Sequence, residues 1–136
     1  MGEQATRQSL GSGNDNFGAF DAFLQGNVFV CEFKGFASDP LSKQFLSALS
    51  LGLERGAAHL FVDFEGLTGY APSLRSGGVD ILRAKHSQLA SVHVLSKSSI
   101  VRMGVTMAAL VIKALRLHGS RKEFDTAMLA LNSQPR

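Results

Sequence analysis

His59-Leu60-Phe61-Val62-Asp63-Phe64 is a nearly unbroken apolar run of strand length, followed at once by the Gly- and Pro-bearing stretch Glu65 to Pro72. A strand apolar at consecutive positions, not only at alternate ones, is covered on both faces, as at the parallel centre of an α/β sheet. Ser91-Val92-His93-Val94-Leu95-Ser96 is a second run of the same kind. Around these strands the period changes to that of helices. After Asp39-Pro40, Leu41, Phe45, Leu49 and Leu53 recur every four residues. The Asp39 side chain is placed to accept from free backbone N–H groups, and Pro40 in the first turn loses no hydrogen bond. Gly56 is the expected stop. A helix from near Ser73 turns Leu74, Gly78, Ile81, Leu82 and Leu89 toward the sheet. Gly77 and Gly78 weaken it and point to close backbone approach or a frayed first turn.

Working outward, Phe17 to Gln25 and Val28 to Lys34 flank a Gly26-Asn27 turn and read as an antiparallel hairpin. Residues 1 to 16, with Gly11-Ser12-Gly13-Asn14-Asp15-Asn16, read as a flexible tail. Ser99 to Leu115 has helical period, with Ile100, Met103, Met107, Leu110 and Ala114 expected on the core side. Val101, Val105, Ala108, Ile112 and Leu115 widen its apolar face beyond what one core contact uses, which suggests an interface. Arg116-Leu117-His118 suits a short edge strand, and Ser120-Arg121-Lys122-Glu123 is a capping box for a last helix carrying Phe124, Met128 and Leu131. The predicted order is β-β-α-β-α-β-α-(β)-α, an α/β fold with a mixed sheet and helices packed on it. The organisation expected is a tail over 1–16, one domain over 17–131 and a C-terminal tail over 132–136.

The 136 residues suffice for one core, and 45% hydrophobic content with ten Phe and no Trp is globular. A lone cysteine, Cys31 between Val30 and Glu32, forms no internal disulfide and has no neighbouring metal ligand, so it reads as a buried thiol in a reducing, cytoplasmic compartment. The first 16 residues carry no apolar secretory core, and Met103 to Ile112 is too short to span a bilayer. The net charge of +3 is unevenly spread. Leu74 to Lys122 holds nine Lys or Arg against the single acid Asp80, giving +8, whereas residues 1 to 73 hold four basic and eight acidic residues, giving −4. The basic half reads as solvated helix faces or as a docking surface for an acidic partner. Nucleic acid is not expected, because no aromatic residue lies between Tyr70 and Phe124 to stack on bases.

No cofactor, metal or catalytic residue is expected. His59, His86, His93 and His118 have no second ligand at i+2 or i+4, and there is no nucleophile elbow or phosphate loop. His93, within a strand, reads as a hydrogen-bonded structural histidine, and His86 as a cap or solvent-facing side chain. Asp63 and Glu65 point to the same side of their strand, and Asp63 reads as a partner for the loop behind it.

Leu60-Phe61-Val62-Asp63-Phe64-Glu65-Gly66-Leu67, leaving a central strand toward a loop and helix, resembles the corresponding strand of the STAS superfamily (sulfate transporter and anti-anti-sigma), in its SpoIIAA-like branch. The element order agrees from Phe17 to Leu131, and Val92 to Leu95 followed by Ser98, Arg102-Met103 and the apolar helix is similar too. The resemblance implies a non-enzymatic regulator in bacterial-type signalling whose partner is another protein, a kinase or anti-sigma-type regulator. It also implies a phosphoacceptor serine at the start of the second helix, in an Asp-Ser pair falling at positions 71 and 72. This chain has Ala71 and Pro72 there, so that phosphorylation has no acceptor; Ser73 and Ser76 are the substitutes within reach. The partner surface implied is Gly66, Leu67, Thr68, Gly69 and Tyr70, with Ser73 and Arg75 from the helix start. Two other readings stay open: a carrier of a small apolar ligand, and a self-assembling element that forms a homo-oligomer through the third helix or Val28 to Lys34.

Overall fold

The computed structural model describes residues 6–132, in the order β1 (Arg7–Asn14), β2 (Gly18–Gln25), β3 (Val28–Ala37), α1 (Asp39–Glu54), β4 (His59–Asp63), β5 (Leu67–Tyr70), α2 (Pro72–Ala84), β6 (Ser91–Leu95), α3 (Ser99–Ala109), β7 (Leu115–His118) and α4 (Arg121–Asn132). The strands form one mixed sheet in the spatial order β1-β2-β3-β4-β6-β7, with β5 set against the end of β3. The pairs β1–β2 and β2–β3 are antiparallel, while β3, β4, β6 and β7 run parallel to one another. The two apolar runs are therefore the parallel centre that their composition implied.

Alternation along the strands divides the core in two. Phe29, Cys31 and Phe33 of β3, Leu60 and Val62 of β4 and Val92 and Val94 of β6 point to the side covered by α1, α2 and α3. On that side Phe20, Phe29, Phe33, Phe45 and Phe64 form a ring cluster with centroids 5.4–6.4 Å apart. Each such buried ring contributes about 2–3 kcal/mol. The opposite side is a thinner layer, in which α4 brings Phe124 onto Phe61 and Leu95, with Met128 and Leu131 beside them.

Backbone pairing corrects the expected tail: Arg7–Asn14 is a strand on β2, with Leu10 buried. The stretch is held by main-chain hydrogen bonds and offers one apolar side chain, so hydrophobic patterning carried no signal for it. The parts of the predicted tails at 1–5 and 133–136 lie outside the described residues, and Asn132 belongs to α4. The hairpin turn is as expected, with Gly26 at φ 62 in the first of its two positions, where a side chain would be strained.

The α1 cap is Ser38, not Asp39. Its Oγ accepts from the Leu41 N–H at 3.3 Å and donates to Asp15 Oδ2 at 2.6 Å, tying the β1–β2 turn to the helix start. The hydrogen bond from Ser38, with two backbone N–H donors from Phe17 and Gly18, lowers the Asp15 pKa. Ser120 does cap α4, accepting from the Glu123 N–H at 3.2 Å.

α3 departs most from expectation. It ends at Ala109, and Leu115 begins β7 instead of closing the helix. Its buried residues are Val101, Gly104 and Val105, whereas Ile100, Met103, Met107 and Leu110, expected inside, are 50–81% exposed. A helix apolar on both sides has two candidate core faces, and periodicity cannot choose between them. The smaller side chains won the core because they let α3 approach the sheet and Tyr70 closely.

Candidate functional site

The loops beyond the carboxyl ends of β4 and β6 meet as the topology requires. The Gly- and Pro-bearing loop expected from Glu65 to Pro72 is partly regular: Leu67–Tyr70 forms β5, parallel to Gly35–Ala37 of β3. This switch of partner occurs at Gly35, whose φ of 77 belongs to the left-handed region and whose missing side chain admits the Phe17 carbonyl. A four-residue strand broken by Gly69 has too little β-branched or alternating character to be read from sequence.

The site residues separate by burial. Leu67 and Gly69 are buried, Gly69 beneath the Phe36 ring, so neither offers its side to a partner. Gly66, Thr68 and Arg75 are exposed, and Tyr70 and Ser73 are half-buried. The Tyr70 phenol packs directly over Gly104 of α3, where a Cβ would collide with it, and so it pins β5 to α3. Arg75 reaches from the first turn of α2 to α3, with Nη1 at 3.4 Å from Met107 Sδ. It thereby joins the predicted surface to the exposed apolar stripe Ile100, Met103, Met107 and Leu110. The sequence reading missed that stripe as surface, although the surplus apolar circumference of α3 was its signal.

Neither serine offered as a substitute acceptor is free. Ser73 Oγ donates to Asp39 Oδ1 at 2.6 Å, which together with Lys43 at 3.2 Å lowers the Asp39 pKa. Ser76 Oγ donates to the Pro72 carbonyl at 3.1 Å. The α2 cap position is Ala71, with no side-chain hydrogen bond, so Ser73 does not cap its own helix.

A charged cluster closes the same end of the sheet. Arg121 Nη2 lies 2.7 Å from Asp63 and 2.6 Å from Glu65, and Lys97 Nζ lies 2.8 Å from Glu65. These two cations hold the Glu65 carboxyl below its usual range. Asp63 does accept from the loop behind it, the Glu65 N–H at 3.1 Å, but Arg121, distant in sequence, is the stronger partner. The arrangement is a structural clamp between β4, the β6–α3 loop and α4. Cys31 is buried, and burial pushes its thiol pKa well up, away from thiolate reactivity. His93 Nδ1 sits 2.9 Å from His118 Nε2, with its ring stacked on Phe61, while exposed His86 bonds the Arg83 carbonyl. Among the described residues no group of three or more His, Cys, Asp or Glu is placed to hold a metal ion, and no helix is long and apolar enough to cross a membrane.

Between α1, α2, α3 and the sheet lies a cavity of about 100 Å³, with an almost wholly apolar lining. Its floor is Leu60, Val62 and Val94, and Gly78 and Arg75 of α2 stand on its α2 side.

No protein-family model matches the chain, and no curated protein matches it in sequence. Solved structures are similar. The anti-sigma factor antagonist SpoIIAA in its unphosphorylated form is 16% identical with a TM-score of 0.57, over 85% of this chain and 99% of that one. An anti-sigma factor antagonist from Mycobacterium paratuberculosis is 14% identical with a TM-score of 0.55, over 90% and 93%. An uncharacterized protein with a SpoIIAA-like fold from Shewanella loihica is 9% identical with a TM-score of 0.54, over 90% and 93%. The chain therefore has a SpoIIAA-like fold, as the strand leading to Asp63 and Gly66 implied.

Proposed function

We propose that the chain is a non-enzymatic, single-domain regulatory module that binds another protein, and that it does so without the serine switch implied at the start of α2. The observation that carries this reading is the Arg75–Met107 contact, which makes one continuous surface of the α2 start and the exposed stripe of α3. Four large apolar side chains in adjacent turns, rimmed by Arg75, have the makeup of a recognition patch with a central apolar strip and a cationic edge. The two solved neighbours described as anti-sigma factor antagonists support a protein partner of the anti-sigma or kinase type.

Ala71 and Pro72 carry no hydroxyl, and Ser73 spends its proton on Asp39. A phosphate on Ser73 would stand against the Asp39 carboxylate, so binding governed by concentration fits better than binding governed by phosphorylation.

The test is capture with cross-linking from a native lysate, comparing the wild type with a Met103→Glu/Leu110→Glu variant. Both positions are well exposed, so thermal stability is expected to change by less than about 0.5 kcal/mol. The same protein captured by the wild type and lost by the variant supports the reading. Equal capture by both would sink it, and a wild-type dimer in light scattering that the variant abolishes would favour self-assembly instead.

A further inference from the structure

We infer that the cavity beneath α2 and α3 is a binding site for a short aliphatic carboxylate, with the chain inside and the carboxylate on Arg75. This goes beyond the protein-docking reading and does not depend on it. The site has three parts. The first is volume: about 100 Å³ of apolar space remains between the helices and the sheet. A dry apolar cavity of about 150 Å³ accepts the six carbons of benzene, so this one takes on the order of four. The second is access. Gly78 contributes no side chain, and a Cβ built there meets nothing within 4 Å, so the α2 side of the cavity is open where any other residue would begin to fill it.

The third part is the charge. Arg75 stands exposed at the rim of this otherwise apolar space, and its one hydrogen-bond partner among the described residues is the Met107 thioether at 3.4 Å, a weak acceptor. A guanidinium with such a partner keeps its bidentate fork available for a carboxylate. A neutral hydrocarbon would use the cavity but leave Arg75 idle, and a long chain would exceed it.

The experiment titrates acetate, butyrate, pentanoate and octanoate, with pentanol as the uncharged control, into the intact protein. Binding is followed by methyl NMR shifts of Leu60, Val62 and Val94. Affinity is expected to rise roughly fourfold per methylene up to pentanoate and then level off. Pentanoate should bind about tenfold tighter than pentanol. Arg75→Gln should bring the two within about twofold of each other, and Gly78→Leu should abolish binding of both. Shifts in the wild type require no variant to fold, so their absence at saturating pentanoate would overturn the inference. So would equal affinity for pentanol and pentanoate, or pentanoate binding that survives Gly78→Leu in a folded protein.

Discussion

Acidification from about pH 7.5 to about pH 5 is expected to weaken the fold through His93. Its ring is stacked on Phe61 at 4.5 Å between centroids, and its Nδ1 meets His118 Nε2 at 2.9 Å. Burial, and then the positive charges of His118, Arg116 and His59, lower its pKa from 6.5 to about 4. The unfolded chain therefore binds a proton more readily than the folded one between those values. Stability is complete above about pH 6.5 and drains as pH falls toward 4. The ceiling is about 3.4 kcal/mol, of which about 2 would be lost by pH 5. The imidazole is only partly withdrawn from water, and screening reduces the loss at pH 5 to about 1 kcal/mol. Urea unfolding of the wild type and of His93→Gln at both pH values isolates the contribution of His93 together with its contact to His118. The stability difference between them should shift by about 1 kcal/mol in favour of the variant on acidification. A constant difference, or an NMR titration of His93 with a midpoint near 6.5, would refute the reasoning.

Two adjacent glycines of α2 should respond differently to alanine. Gly78→Ala places a methyl in open space and should stabilise by about 1 kcal/mol through helix propensity, a rise of roughly 3–5 °C in Tm. At Gly77 the same methyl collides with the Leu46 side chain of α1, and a rotamer cost of about 0.5–1.5 kcal/mol should cancel the gain; equal Tm values for the two variants would count against this packing. Arg121→Met leaves the nearly buried Asp63 carboxylate without its main partner. It should cost about 2 kcal/mol in urea unfolding, less than a fully buried pair because Arg121 is partly exposed.

How much was legible follows from what each element is made of. The strands β4 and β6 and the α1 face announced themselves because their burial is written in consecutive or four-spaced apolar residues. β1 and β5 were missed because neither carries a strand pattern in its side chains: Arg7–Asn14 buries only Leu10, and Leu67–Tyr70 is four residues broken by Gly69 that take their place beside β3. The phase of α3 was inverted because Ile100, Met103 and Met107 outrank Gly104 and Val105 in hydrophobicity, while proximity to Tyr70 demanded the smaller set. The partnerships His93–His118 and Asp63–Arg121 join positions 25 and 58 residues apart in the chain, and no local pattern encodes such meetings. Ala71 and Pro72, in contrast, were readable at once, since a missing hydroxyl needs no structure to be recognised.

β3 is measured against three neighbours at once: β2 along most of its length, β4 over Val28–Glu32 and β5 over Gly35–Ala37. Two residues beyond its last pair stands Asp39, the first residue of α1. A one-residue slip would turn Phe29 and Phe33 outward and unseat both β5 and the α1 cap. The segment from Gly66 to Arg75 thus inherits its position from the centre of the sheet. If the proposed partner meets this segment, it finds backbone that is already ordered, and the entropy of fixing a loop, which usually weakens association, has been spent when the chain folded.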